Sequence, residues 1–294
     1  MDAISLQLKR KSYIIPSDPN NAKKGAAMAN GKIIRKNVDN LSDDELAAVR
    51  DAYTKMQQIT DNRGYNYWAG LHGIPHFYCW HGPRTQQGGL VDLFLPWHRA
   101  YTLYFEQAAR DQNAGATLAW WDWTSDVSHS SGVPAAFSAE QVNGDPNPLY
   151  KGHISAPDAD PPLDRDTLRF PGDPGDLPVP DDVNALLSLT HFEDFSSQLQ
   201  GIHNNIHGWT GGVSPDQTAG GDMGSVPTAA WDPIFWSHHC QIDRIWYMWQ
   251  LQNGANNIPQ NYFQQVLAPF HLVVSDVLDI SRLGYEYASS SVTL

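Results

Sequence analysis

The residues best placed to do chemistry in this sequence are its histidines. His203 and His207 stand four apart within the stripe Phe192, Phe195, Leu199, Ile202 and Ile206. On a helix their rings leave from one side and can share a metal. Taken alone, such a pair is equally a pair of core or surface imidazoles. Downstream, His239 lies on the apolar face formed by Phe235, Ile242, Trp246 and Trp249, and upstream His98 falls on the inner stripe of Tyr101, Phe105 and Ala109. His72 and His81 precede it on a stretch rich in glycine, proline and aromatics. Imidazoles on apolar faces are costly without partners. Three from each half suggest two metal sites facing one another. Neutral imidazole suits copper, zinc and iron, but an all-nitrogen set lacks the carboxylate of a non-haem iron triad. Di-iron bundles need Glu-x-x-His pairs, which are missing, and Glu106 alone cannot bridge two irons. Zinc stays open, although neither His-Glu-x-x-His nor a cysteine pair for a structural site occurs.

Other chemistries fit less well. The sequence has no G-x-S-x-G elbow, phosphate-binding glycine loop or dinucleotide fingerprint. Cys79 and His81, two apart on a loop, form a poor nucleophile relay and lack a third orienting residue.

The elements that must hold these residues are mainly helical. Ser42 and Glu45 form a capping box ahead of Leu46, Val49, Tyr53 and Met56. A second helix is expected from about Trp97 to Asp111, a third around 192–207 and a fourth around 235–249. The stretch YNYWAGLHGIPHFYCWHGP is expected to be irregular. Residues 125–180, with ten prolines and eight aspartates, read as a surface excursion. The expected architecture is mainly α, a four-helix-bundle core closed by long loops. Residues 1–34 would be a lead-in, 35–287 the catalytic domain and 288–294 a tail.

Composition narrows the partners. The chain has 294 residues, 41% of them hydrophobic, and a formal charge of -13. That charge disfavours nucleic acid and anionic membrane surfaces. No apolar run is long enough to span a bilayer, and no signal peptide is evident, which points to the cytoplasm. Two cysteines exclude a disulfide scaffold.

FLPWHRAYTLYFE (residues 94–106), DPIFWSHHCQID (232–243), HNNIH (203–207) and the GG…M loop ending at Met223 together resemble the tyrosinase family of type-3 copper proteins. That family includes catechol oxidases and molluscan haemocyanin units. The resemblance runs from about Arg35 to Tyr287, where GYEY is similar to the motif closing the family's catalytic domain. It implies a dicopper centre inside the bundle, with no carboxy-terminal shielding domain following. Copper A would be held by His72, His81 and His98, and copper B by His203, His207 and His239. His238 would then point away to a hydrogen bond. His76 would be a satisfied loop histidine, and His129, His153, His191 and His271 would make surface or local contacts. Cys79-Trp80-His81 is similar to the family's Cys-x-His, in which the sulfur is joined to the ligand ring. Such a thioether would fix a loop ligand that otherwise costs entropy to hold. Cys240 would enter helix packing. The thirteen steps from His81 to Phe94 exceed the family's usual spacing and would remodel the rim.

The resemblance implies oxidation of small phenols or catechols to o-quinones, with molecular oxygen as co-substrate at the two coppers. Each ligand ring should be oriented through its other nitrogen, and Asp243 with Arg244 should brace the fourth helix. Val226 resembles a small gate, and Asn204 the asparagine that helps hold a deprotonating water. The acid partnering that asparagine in many tyrosinases is here Gln200, an amide that cannot polarise the water as a carboxylate does. Gly208 adds open space without charge. Catechol oxidation is therefore expected, and monophenol hydroxylation to a lesser degree. The alternatives are an o-aminophenol oxidase, a haemocyanin-like oxygen-binding protein and a binding protein with vestigial sites.

Overall fold

The computed structural model describes residues 32–76, 79, 84–86 and 89–289, with only the backbone of 84–86, 89 and 90. Helix α1 is Asp43–Gln58, and it opens with the anticipated box. Ser42 accepts from the Glu45 N–H while the Glu45 carboxylate accepts from the Ser42 N–H. Its buried stripe is Val49, Ala52, Tyr53 and Met56.

Helix α2, Tyr65–His72, replaces the irregular segment expected there. The breakers are concentrated after His72, and within the helix only Gly70 is a poor helix former. A side chain at Gly70 would stand 2.9 Å from the Pro75 ring, so the glycine serves a close approach. The helix stops where Gly73 meets Pro227: a Cβ on Gly73 would lie 2.1 Å from the Pro227 carbonyl oxygen. His72 is thus the last residue of a helix.

The long helices α3, Phe94–Gln112, α4, Phe192–Gly211, and α5, Ile234–Asn253, complete the framework. Asp92 accepts from the Phe94 N–H at the start of α3, where Pro96 occupies the first turn and forfeits no helical bond. Asp232 accepts from the Ile234 N–H and starts α5 in the same way. Phe105 of α3 stacks on Trp236 of α5 with ring centroids 3.4 Å apart, seating the two helices side by side. The fold is mainly α, as expected, with a helical core around the buried histidines.

Residues 125–180 are more than a surface excursion. They include the short helix Asp126–Ser131 and the hairpin of His153–Ala156 with Leu163–Asp166, and they bury Phe137, Leu149, Ile154 and Leu177. Arginines paired with buried aspartates fasten the segment, since Arg169 binds Asp232 and Arg165 binds Asp222. Apolar periodicity misses it because its contacts are made one side chain at a time rather than along a stripe.

The strands described are all in two-stranded pairs. One of them sets Ile33–Arg35 parallel to Tyr285–Tyr287 and so carries Arg35 into the core. There Arg35 pairs with Glu106 at 2.8 Å and Asp243 at 3.3 Å, beneath the Tyr285 ring. Asp243 also accepts from Arg99, Tyr285 and Tyr287. These charges keep Asp243 below the usual carboxylate range despite burial, which acts the other way and is the largest influence. Arg244, expected as the partner of Asp243, instead lies over the Trp120 ring. One residue further along a helix turns about 100° away, so neighbours in sequence face different surroundings.

Candidate metal centre

The spacing of four on α4 sets His203 and His207 one turn apart, and α5 brings His239 against both. The His239 Nε2 lies 3.2 Å from Nε2 of His203 and 3.2 Å from Nε2 of His207. From the other side, α2 and α3 supply His72 and His98, which group with the same His239 within 4.8 Å. The His98 and His239 rings stack at 4.2 Å, so His239 stands between the two groups. Five of the six expected ligands therefore converge. The sixth, His81, lies outside the described residues, and with it the expected joining of Cys79 to His81. Cys79 itself is placed with Sγ 3.7 Å from the His98 Nε2, and burial pushes its thiol pKa up.

Most of the rings are oriented through Nδ1. His72 donates to the Val226 carbonyl at 3.2 Å, His98 to Phe94 at 2.9 Å and His207 to Met223 at 2.7 Å. His203 donates to the Asn204 side-chain oxygen at 3.0 Å. A proton held at Nδ1 leaves the Nε2 lone pair directed into the cluster, the arrangement a metal needs. His239 is the exception, because its Nδ1 has no partner. Burial, foremost, and the neighbouring imidazoles keep His203 and His239 far below the ordinary histidine value, and burial brings His207 down to about 4. Neutral rings are ready ligands.

His238 does not point away. Its ring stacks on His203 at 5.1 Å and meets His207 edge-on at 4.9 Å, and burial, foremost, lowers its pKa against a hydrogen bond with the His203 backbone that raises it. The rings of His203 and His207 lie on this side of α5 as well, so the turn from His239 to His238 stays within the same cluster.

Two further residues complete the packing. Phe94 and Phe235 each precede a ligand by four residues, at His98 and His239. Phe94 sits 4.7 Å from His203, and Phe235 sits 4.1 Å from His239 and 4.8 Å from His72. That repeated i−4 phenylalanine is visible in the sequence as FLPWH and FWSHH. The carbonyl braces of Val226 and Met223 leave no sequence signal, since every residue has a carbonyl.

Among the remaining expected positions, Gln200 is half-buried one turn before Asn204, Asn204 is exposed, and Val226 is 60% exposed. His129 meets the Pro178 carbonyl and His153 sits between Asp164 and Asp166, which are local contacts as anticipated. Cys240 is buried near Tyr287. A cavity of about 700 Å³ is lined by Ile74, Pro75, Leu163, Arg165 and Pro227, and none of the cluster histidines is part of its lining.

The donor set fits copper. Nitrogens 3.2 Å apart suit a metal with bonds of about 2 Å at a near-tetrahedral angle. Both groups contain imidazole alone, which argues against the carboxylate-rich sites of iron. Oriented, neutral and buried rings can hold two ions side by side.

Comparison with known proteins agrees. A family model, the common central domain of tyrosinase, matches residues 62–184 and 173–252. The chain is 33% identical over 241 residues to hemocyanin units G and H of Sepia officinalis, covering 78% of this chain and 40% of that protein. It is 31% identical over 243 residues to the A-type hemocyanin units of Enteroctopus dofleini, covering 75% of this chain and 18% of that one. The chain thus spans less than half the length of either relative. Among solved structures, an octopus hemocyanin functional unit superposes with a TM-score of 0.70 at 29% identity, over 87% of this chain and 68% of that one. A tyrosinase from Burkholderia thailandensis superposes at 0.73 and 21% identity, over 88% of this chain and 75% of that one, a likeness of fold. With its motifs, its helical core and its paired histidine groups, the chain belongs to the tyrosinase family of type-3 copper proteins.

Proposed function

We propose that the chain is a dicopper oxidase that converts o-diphenols, and more slowly monophenols, to o-quinones with molecular oxygen. His72, His81 and His98 would hold one copper and His203, His207 and His239 the other, with a thioether from Cys79 fixing His81. Copper bound there would supply the redox chemistry that links oxidation of two catechols to reduction of one oxygen molecule. The catechols lose four electrons and four protons, and two waters form.

The observation that carries the reading is the small, exposed Val226 beside the buried cluster, its carbonyl already holding His72. An aromatic ring meets little bulk there. Gly208 supports the same approach, because a Cβ built on it meets nothing within 4 Å. Asn204 holds His203 in place, while Gln200 can orient a water by hydrogen bonding but cannot take its proton. Diphenol turnover should therefore exceed monophenol turnover. The test is oxygen uptake by copper-loaded protein with a catechol, a simple monophenol and an o-aminophenol, repeated with Gln200→Glu. The variant is expected to raise the monophenol rate relative to the diphenol rate, and an unchanged or lower ratio would refute the role given to Gln200.

A second reading, reversible oxygen binding, is favoured by the hemocyanin relatives. Copper-loaded protein that binds oxygen yet leaves catechol uncoloured in air would establish it over the oxidase.

A further inference from the structure

We propose that Arg165 is a positioning residue for both metal groups, acting through the segment 222–228 that steadies one ring of each. The inference rests on the copper reading above and concerns what holds those rings still. The Met223 carbonyl accepts from His207 and the Val226 carbonyl from His72, so one stretch of backbone serves a ligand on either side. Burial does not hold its middle, since Gly224 and Val226 are exposed and Ser225 and Pro227 are half-buried. Its position is therefore set where it is tied down. Asp222, only 2% exposed, is the tie at one end. Its two carboxylate oxygens accept from the Arg165 guanidinium at 2.7 and 2.8 Å, and one of them also accepts from the Leu168 N–H at 2.7 Å. The Asp222 carbonyl accepts from the Ser225 N–H and the Thr228 hydroxyl, which closes the segment on itself. At the other end the Pro227 carbonyl accepts from the Ile74 N–H, two residues beyond His72. Against α4 the contact is backbone on backbone, because a Cβ on Gly211 would lie 2.3 Å from the Gly224 nitrogen. A forked guanidinium–carboxylate pair fixes direction as well as distance, which a single ammonium does not. Without Arg165 the buried Asp222 loses its counter-charge, and its shift toward water carries the Met223 and Val226 carbonyls with it.

NMR of the imidazole N–H protons in the copper-free full chain, with isotope-labelled histidine, tests this. In Arg165→Ala the Nδ1 protons of His72 and His207 should move upfield as their hydrogen bonds lengthen. Those of His98 and His203, held by Phe94 and Asn204, should keep their positions. Arg165→Lys, which keeps the charge without the fork, should fall between, and it stands in for the alanine variant if that one does not fold by circular dichroism. Copper titrated against a chromophoric copper(I) chelator should show both ions weakened, by roughly tenfold or more in Arg165→Ala and less in Arg165→Lys. Four rings that all stay overturn the assignment, and so do four that all move alike, since the pair would then be a general support of the fold. Weakening of one ion alone overturns the claim that the segment serves both groups. An unaltered protein that takes up no copper overturns the metal reading instead, and the ring protons of the copper-free chain judge Arg165 separately.

Discussion

The two halves of the histidine pocket hold their rings by different means. In the second half, α4 and α5 are long helices, and His203, His207 and His239 follow from their periodicity. One brace there is a side chain, Asn204, adjacent in sequence to the ring it holds. In the first half, His72 ends a short helix, and its ring is held by the Val226 carbonyl, 154 positions away. His72 is therefore placed by contact with a distant segment, whereas His98, from its own helix at Phe94, and His203, from the adjacent Asn204, are steadied locally. Any disturbance of the 225–228 segment should reach His72 first.

The largest effect should come from a change that spares neither half. Asp243→Ala leaves Arg35 and Arg99 buried without their shared counter-charge, and the expected loss is about 3–5 kcal/mol in urea unfolding. A loss below about 1 kcal/mol would mean that Glu106 alone neutralises the cluster. Next, Gly73→Ala drives a methyl into the Pro227 carbonyl and should loosen only the first half. The expected cost is about 1–3 kcal/mol, with one copper lost by metal analysis and the other kept. Asn204→Ala is the counterpart in the second half. Without its brace His203 can rotate, and copper affinity there should fall roughly 10–100-fold. If both variants lost the same ion, the contrast between the halves would fail.

Acidity should act through the whole pocket. The folded chain holds His207 down to about 4 and His203, His238 and His239 below the ordinary 6.5. Between those values the unfolded chain binds protons that the copper-free fold excludes, so stability rises with pH. It should be fully present above about 6.5 and decline as pH falls toward 4, read from urea midpoints of copper-free protein. The smallest effect is expected at the rim. Val226→Phe should lower monophenol relative to diphenol turnover by several-fold, about 1 kcal/mol in transition-state discrimination, while both coppers stay bound.

Much of this was legible in the sequence because helices write their faces at a spacing of three to four residues. The capping box at Ser42 and Glu45, the stripes of α3, α4 and α5, and the convergence of His98, His203, His207 and His239 are all readable that way. The short helix Tyr65–His72 was hidden by the glycines and prolines that follow it. The 125–180 segment was hidden because isolated buried residues and arginine pairs hold it, with no repeating pattern.

The amino-acid order by itself determined the ligand chemistry, since an all-imidazole set on apolar helical faces has few uses other than metal. Tertiary structure alone decided where His238 points, which carbonyls steady His72 and His207, and that Asp243 answers Arg35 and Arg99 rather than Arg244. The reason is physical. A helix fixes directions relative to its own axis, but the partner waiting in each direction is supplied by chain segments far away in sequence, through backbone atoms and buried charges that carry no local pattern.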